Sequence, residues 1–279
     1  MRTAAQNAEL ALLLEVAGTP KPGNVDRHRD FDDLRFEHFL AGAVGASEGL
    51  RGAAAGEPVG DAFETAVAGM ADQRGGNTQF GALLLLVPLV RVAGQGNLTP
   101  AAATEAVETT TVADAAGFYR AFDHVDVFVA DPPEDAHELD ARRGSDAVSA
   151  VEERGLTLYD LMEMSAPEDG NAVEWTAGFP RSFAVGDQIA SGDGPVPERI
   201  ARAFLEQLAE FPDSLVAKQH GTETAESVCD RATDLLDASL DEIEAFGDDL
   251  VSRGVNPGTT ADVVAAGTFV ALERDEVVV

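Results

Sequence analysis

The sequence predicts an all-α fold: a single domain of nine or ten helices around a buried central helix. Three observations carry that expectation. Apolar residues recur at three- and four-residue spacing along most of the chain, β-branched alternation is scarce, and no repeat of fixed period divides it. At 279 residues the chain is long enough to bury most of its apolar surface in one body.

The first helix is expected from about Thr3 to Val16, stopped by Gly18 and Pro20. A rigid loop, Thr19 to Asp30, separates it from a second pattern over residues 36–50, built on Phe36, Phe39, Leu40 and Val44. Asp61 to Met70 gives a third helix, broken by Arg74-Gly75-Gly76. Asn77 and Thr78 can cap a fourth from Phe80 to Ala93, which is apolar nearly all round and therefore central. Pro100 suits the first turn of a fifth that runs toward Phe122.

Residues 123–147 are the least helical: 123–129 read as a short strand and 131–135 as an acidic turn. Helical spacing resumes near Ala147, from Leu158 to Met164 and from Ala172 to Phe179. A Gly-rich linker, Asp187 to Pro197, precedes three more helices at 200–211, 223–246 and 260–272.

Composition narrows the function classes. Fifty acidic residues face nineteen basic ones, a formal net charge of −31, so nucleic acid or an anionic membrane is not expected as a partner. Lys21 and Lys218 are the only lysines; an Arg-based, strongly acidic surface reads as that of a halophilic cytoplasmic protein, tolerable where salt shortens the screening length to a few ångströms. One cysteine, Cys229, allows no disulfide framework and no cysteine-based zinc site, and the histidine spacing makes none either. Met1 to Leu14 lacks the form of a signal peptide, and the apolar run 82–90 is too short to span a bilayer.

Four segments share one pattern, a small or Gly-rich turn followed by polar residues at a helix start. They are 21–29, 75–78, Pro212-Asp213-Ser214 with Lys218 and His220, and 254–262. Helix N-termini offer unpaired N–H groups and partial positive charge, which suit phosphates. In the first, Pro20 and Pro22 stiffen the backbone around Lys21, and Gly23 supplies a turn; Asp26, Arg27 and His28 follow. Each segment also has an ordinary reading: a Pro-rich connector with solvated charges, capping by Asn77, Thr78, Thr259 and Thr260, a helix-end cation pair at Lys218 and His220. Asp262 at the edge of an apolar helix is either a dipole partner or a metal or substrate ligand. Trp175 beside Glu174 reads as a core residue before a nucleotide platform.

Taken in order, these segments resemble the triphosphoribosyl-dephospho-coenzyme A synthase family. The resemblance rests on Thr19 to Arg29 with Asp33 and Phe39, on Gly76-Asn77-Thr78 with Gly81, and on Glu174 to Pro180. It extends to Pro212-Asp213-Ser214 with Lys218 and Gly221, and to Asn256-Pro257-Gly258 ahead of Ala261-Asp262. It covers most of the chain. Where the family often has His-Lys-Gly after Asn-Thr, this chain has Gln79-Phe80-Gly81, without a cation.

The resemblance implies an all-α transferase in which the 2′-hydroxyl of dephospho-CoA attacks C1′ of the ATP ribose and adenine leaves. The product is the precursor of a carrier-protein prosthetic group in citrate lyase and malonate decarboxylase. Such chemistry asks for a carboxylate opposite the oxocarbenium charge, a base for the hydroxyl proton, and cations with Mg²⁺ for the triphosphate. On that basis Lys21, Arg27 and Lys218 are expected on phosphates, and Asp26 and Asp262 on Mg²⁺ or near C1′. Asn77 and Thr78 are expected as polar ligands, with Gly23, His28, His220, Asn256 and Gly258 also in the nucleotide site and Glu174 among the catalytic carboxylates. Lys21→Ala is then expected to abolish nucleotide binding at little cost in stability. Two further readings stand beside this one: a Mg²⁺-dependent N-glycoside hydrolase, and a non-catalytic nucleotide- or CoA-binding protein. A homodimer is compatible with all three.

Overall fold

The computed structural model describes residues 2–130, 132, 136–277 and 279. Among them are sixteen α-helices, two 3-10 segments and no strand, so the class is as expected and the helices are more numerous. The excess comes from splitting. The expected second helix is α2 (Phe36–Gly45) and α3 (Ser47–Ala54), and the fifth is α6 (Pro100–Glu108) and α7 (Val112–Ala121). Thr109, Thr110 and Thr111 interrupt that fifth helix, and Thr111 restarts it by capping Asp114 N–H. The 223–246 pattern likewise divides into α14 (Thr222–Asp234) and α15 (Leu240–Ser252), with Ser239 as the second cap.

The remaining elements, in order, begin with α1 (Ala4–Ala17), where Thr3 and Gln6 form a capping box, then α4 (Val59–Met70) and α5 (Phe80–Gly94). After α8 (Val148–Arg154) come α9 (Leu158–Ser165), α10 (Gly170–Ala177) and α11 (Pro180–Ser191). The chain closes with α12 (Val196–Glu210), α13 (Ser214–His220) and α16 (Gly258–Glu273). The expected linker from Asp187 therefore starts inside α11, because Gln188 and Ile189 continue its turn.

The core is built on two helices. α5 is buried along nearly its whole length, as its all-round apolar sequence requires, and α16 packs against it with Val263 to Leu272 enclosed. α1, α11 and α12 surround α16, while α3, α4 and α6 pack on α5. Trp175 is fully buried with its indole N–H on the Leu84 carbonyl at 3.0 Å, a core residue as expected.

Residues 123–129 form no strand; the sole bridge pairing among the described residues is the turn between Asp26 and Arg29. A lone strand has no partner to satisfy its N–H and C=O groups, and this segment instead runs along a cleft wall. The acidic turn 131–135 lies outside the described residues apart from Pro132.

Candidate active site

A cleft of about 680 Å³ opens where the N-terminal ends of α5, α10 and α16 meet. Its polar floor carries Glu15, Asn24, Asn77, Thr78, Gln79, Asp169, Asn171, Lys218, Asn256 and Asp262. The other end is apolar, walled by Phe80, Phe118, Phe122, Phe128 and Leu161.

The convergence is held by side chains that sequence motifs had brought to notice for other reasons. Asp213 is buried; it accepts from Leu215 N–H and Val216 N–H of α13 and from the backbone N–H and hydroxyl of Thr260 on α16 at 2.7 and 2.8 Å. Ser214 Oγ accepts from Gly170 N–H at 2.9 Å and shares a hydrogen bond with Thr259 Oγ1. One Asp-Ser pair thus clamps three helix starts together. Burial pushes the Asp213 carboxyl up, against the four hydrogen bonds that favour its charged form.

The first and last motifs are partners of one another. Gly23 has φ +74°, and a Cβ there would stand 2.6 Å from the Val255 carbonyl and 2.8 Å from Pro257, so no side chain fits. Across the same junction Asn24 Nδ2 donates to Asn256 Oδ1 at 2.9 Å. Gly23 therefore joins the loops and does not touch the cleft.

Lys21 requires a correction. It is fully buried behind the cleft floor, its ammonium ion-paired with Glu15 and bonded to Asn24 Oδ1 at 3.1 Å, and it is not part of the lining. Burial pushes the Glu15 carboxyl up, and the Lys21 ammonium opposes that shift. Lys21 holds two residues that line the cleft, Glu15 and Asn24. Asp26 is also buried and outside the cleft lining, its Oδ2 accepting from Thr19 Oγ1, Lys21 N–H and Arg29 and its Oδ1 from His28 N–H. Arg27 and His28 are exposed and outside the lining. Glu174 is buried outside the cleft lining and accepts from Arg181 N–H, Ser182 N–H and Ser182 Oγ, so it caps the start of α11. His220 is exposed and bonded to the Gly254 carbonyl.

The other expected residues do come together. Asn77, Thr78, Lys218, Asn256, Gly258 and Asp262 all line the cleft. Asn77 Oδ1 accepts from Phe80 N–H at 3.1 Å, capping α5, and Lys218 is ion-paired with Asp169, itself the cap of α10. Among the described residues Lys218 is the only Lys or Arg in the lining.

Asp262 stands at the centre of the floor, part-buried, accepting from Asn171 Nδ2 at 2.8 Å. Its carboxyl is pushed well above the usual carboxylate range, first by withdrawal from water and then by the negative charges of Asp213, Glu15 and Asp169. Gly81 makes room for it: a Cβ there would lie 2.0 Å from Asp262 Oδ2 and 2.6 Å from Asn171 Nδ2. Gly81→Ala is therefore expected to displace Asp262 while favouring the helix, lowering turnover about a hundredfold with an unchanged or higher melting temperature. Steady-state rates and melting curves of the variant check this.

The floor also holds polar atoms without partners. Thr78 Oγ1, both amide atoms of Gln79 and Asn171 Oδ1 are buried with no hydrogen bond in the protein. Such groups are ordinarily paired; Thr78 Oγ1 and Gln79 Oε1 lie against Gly42 of α2, and Asn171 Oδ1 belongs to the amide that donates to Asp262. Sequence reading passed over Glu15, Asn24, Gln79, Asp169 and Asn171. Asp169-Gly170-Asn171 looks like a plain turn, and Glu15 ends an apolar run with nothing local to distinguish it.

The family model described as ATP:dephospho-CoA triphosphoribosyl transferase matches residues 1–278. A solved structure from Archaeoglobus fulgidus, provisionally named a triphosphoribosyl-dephospho-CoA synthase, superposes with a TM-score of 0.68 at 26% identity. The alignment covers 84% of this chain and 97% of that one. No curated protein matches.

Proposed function

This chain belongs to the ATP:dephospho-CoA triphosphoribosyl transferase family, and from that premise we propose how its cleft divides the reaction. The family's reaction moves a triphosphoribosyl group from ATP to dephospho-CoA. In the reading proposed for this chain, the 2′-hydroxyl oxygen of the acceptor bonds to ribose C1′ as the C1′–N9 bond breaks. Adenine departs with the bond's electron pair, and the hydroxyl proton must be taken up. The observation that carries the assignment is the cleft itself, which brings Asp262, Asn171, Asp169 and Lys218 together at the meeting of three helix N-termini.

Asp262 opposes the positive charge that develops on the ribose and accepts the hydroxyl proton. A carboxyl whose affinity for a proton is raised well above the usual carboxylate range, by withdrawal from water, suits that second task better than an ordinary one. Lys218 faces the triphosphate, beside the starts of α5 and α16, whose N–H groups at Phe80 and Thr260 are already taken by Asn77 Oδ1 and Asp213. The apolar end, with Phe118, Phe122 and Phe128, takes the pantetheine arm of the acceptor.

One lysine does not balance a triphosphate of about four charges. No group of three His, Cys, Asp or Glu able to hold a metal occurs among the described residues, which argues against an all-protein cage. Mg²⁺ asks for less, commonly one or two carboxylates with phosphate oxygens completing its shell. Asp169 in the cleft lining and the neighbouring Asn171 Oδ1 would meet that demand without calling on Asp262, and Mg²⁺ held there would neutralise triphosphate charge.

No helix among the described residues is long and apolar enough to cross a membrane. The acid excess supports a protein that works in concentrated salt, so assays belong at molar salt. The expected result with ATP, Mg²⁺ and dephospho-CoA is free adenine and a heavier coenzyme product in equal amounts. Adenine with free triphosphoribose would instead indicate a hydrolase, and binding without adenine would indicate a non-catalytic protein.

A further inference from the structure

Ser214 lies outside the cleft lining, yet its hydroxyl joins the helices that carry Lys218, Asn171 and Asp262. From the start of α13 it accepts from Gly170 N–H of α10 at 2.9 Å and hydrogen-bonds Thr259 Oγ1 of α16 at 2.9 Å. The approach is close: a Cβ at Gly170 would stand 2.8 Å from Thr259 Cγ2 and 3.2 Å from Ser214 Oγ. Helical spacing carries this link into the site. Thr259 and Asp262 are three residues apart on α16, and Ser214 and Lys218 four apart on α13, so each pair shares a face. Gly170 stands between Asp169, which pairs with Lys218, and Asn171, which donates to Asp262 at 2.8 Å. Both of those contacts therefore close a ring through Ser214.

Two other contacts isolate what Ser214 decides. Asp213 already ties α13 to α16 through Thr260, and Trp175 anchors the second turn of α10 in the core. Removing the Ser214 hydroxyl would therefore release the first turn of α10 and leave the other helices in place. We infer that Ser214 is a positioning residue, whose hydroxyl sets where α10 presents Asn171 to Asp262 and so aims the Asp262 carboxylate at ribose C1′. The inference rests on the transferase reading of the same cleft. A shift of about 1 Å in a reacting group can cost about a hundredfold in rate. The substrates would still bind, because Ser214 does not line the cleft.

The test is a double-mutant cycle on adenine release from ATP with dephospho-CoA, in the wild type, Ser214→Ala, Asp262→Asn and the two together. Ser214→Ala is expected to lower kcat roughly ten- to a hundredfold, with KM for either substrate changed by less than about threefold. Ser214→Thr, which keeps the hydroxyl, should recover most of that loss. In the Asp262→Asn background the serine change should cost less than about threefold, because the group through which it acts is already gone. Melting temperatures confirm folding, and Thr259→Val, which removes the other hydroxyl of the link, takes the place of Ser214→Ala if that variant does not fold. An unchanged kcat, a loss confined to KM, or the same factor in both backgrounds overturns the inference and leaves the transferase reading intact. No adenine released by the wild type overturns the transferase reading, and the inference falls with it.

Discussion

Asp262→Asn is expected to reduce adenine release by a thousandfold or more while leaving the empty protein more stable than the wild type. The loss follows from the proposed role: asparagine neither balances the ribosyl charge nor accepts a proton, and removing one such group commonly costs two to three orders of magnitude, about 3–4 kcal/mol. The gain follows from the neighbours. Asp213, Glu15 and Asp169 all repel an ionised Asp262, and only Asn171 donates to it. Relieving a functional-site liability of that kind is worth about 1–2 kcal/mol.

The pH dependence separates this account from a mere packing change. A carboxyl raised on folding binds its proton more tightly in the folded chain than in the unfolded one. Its stabilising contribution is complete below the ordinary carboxylate pKa and is lost as pH rises through the raised folded value. Glu15 and Asp213 are shifted in the same direction. The advantage of Asp262→Asn should accordingly be present at pH 7 and vanish near pH 4, as thermal melts at the two pH values would show. The wild-type rate should fall on the acid side at a pH above the usual carboxylate range. An equal advantage at both pH values, or a variant with wild-type turnover, would remove Asp262 from the centre of the site.

What could be read from the chain depended on how local the signal was. α5 was legible because its apolar residues leave no polar face, and α1 because Thr3 and Gly18 mark its ends. The breaks at Thr109 to Thr111 and before Ser239 were hidden, since the apolar spacing on either side stays nearly in phase and only a cap distinguishes interruption from continuation. The same limit applied to the site. Turn motifs at helix starts identified Asn77, Thr78, Asn256 and Asp262, which face the cleft, yet sequence alone could not separate a residue that meets ligand from one that joins two loops. Gly23, Asp26 and Glu174 are of the second kind: their demands are met by Val255, by the loop's own N–H groups and by the start of α11. Glu15 and Asn171 were missed because their importance lies in what surrounds them, a buried lysine in one case and the Asp262 carboxylate in the other.

Lys21→Ala separates those two kinds of residue most sharply. A lysine reaching for phosphate from a surface loop could be truncated with little effect on folding. Here the ammonium is enclosed, paired with Glu15, bonded to Asn24 and 5.8 Å above the Phe204 ring, so truncation leaves a carboxylate buried without its counter-charge. Breaking a buried pair by removing one partner costs about 3–5 kcal/mol, which in a chain of this size lowers the melting temperature by roughly ten degrees. The pair is shielded from solvent, so molar salt should not rescue it, unlike the exposed pairs of Arg35 with Glu37 or Arg253 with Asp249. Replacing both partners by neutral side chains of similar size, Glu15→Gln with Lys21→Met, removes the unpaired charge and should recover most of the stability. Nucleotide binding by the double variant then decides the remaining point. Binding within a few-fold of wild type shows that Lys21 acts by shaping the floor, whereas loss of binding in a stable double variant would return the ammonium to the phosphates.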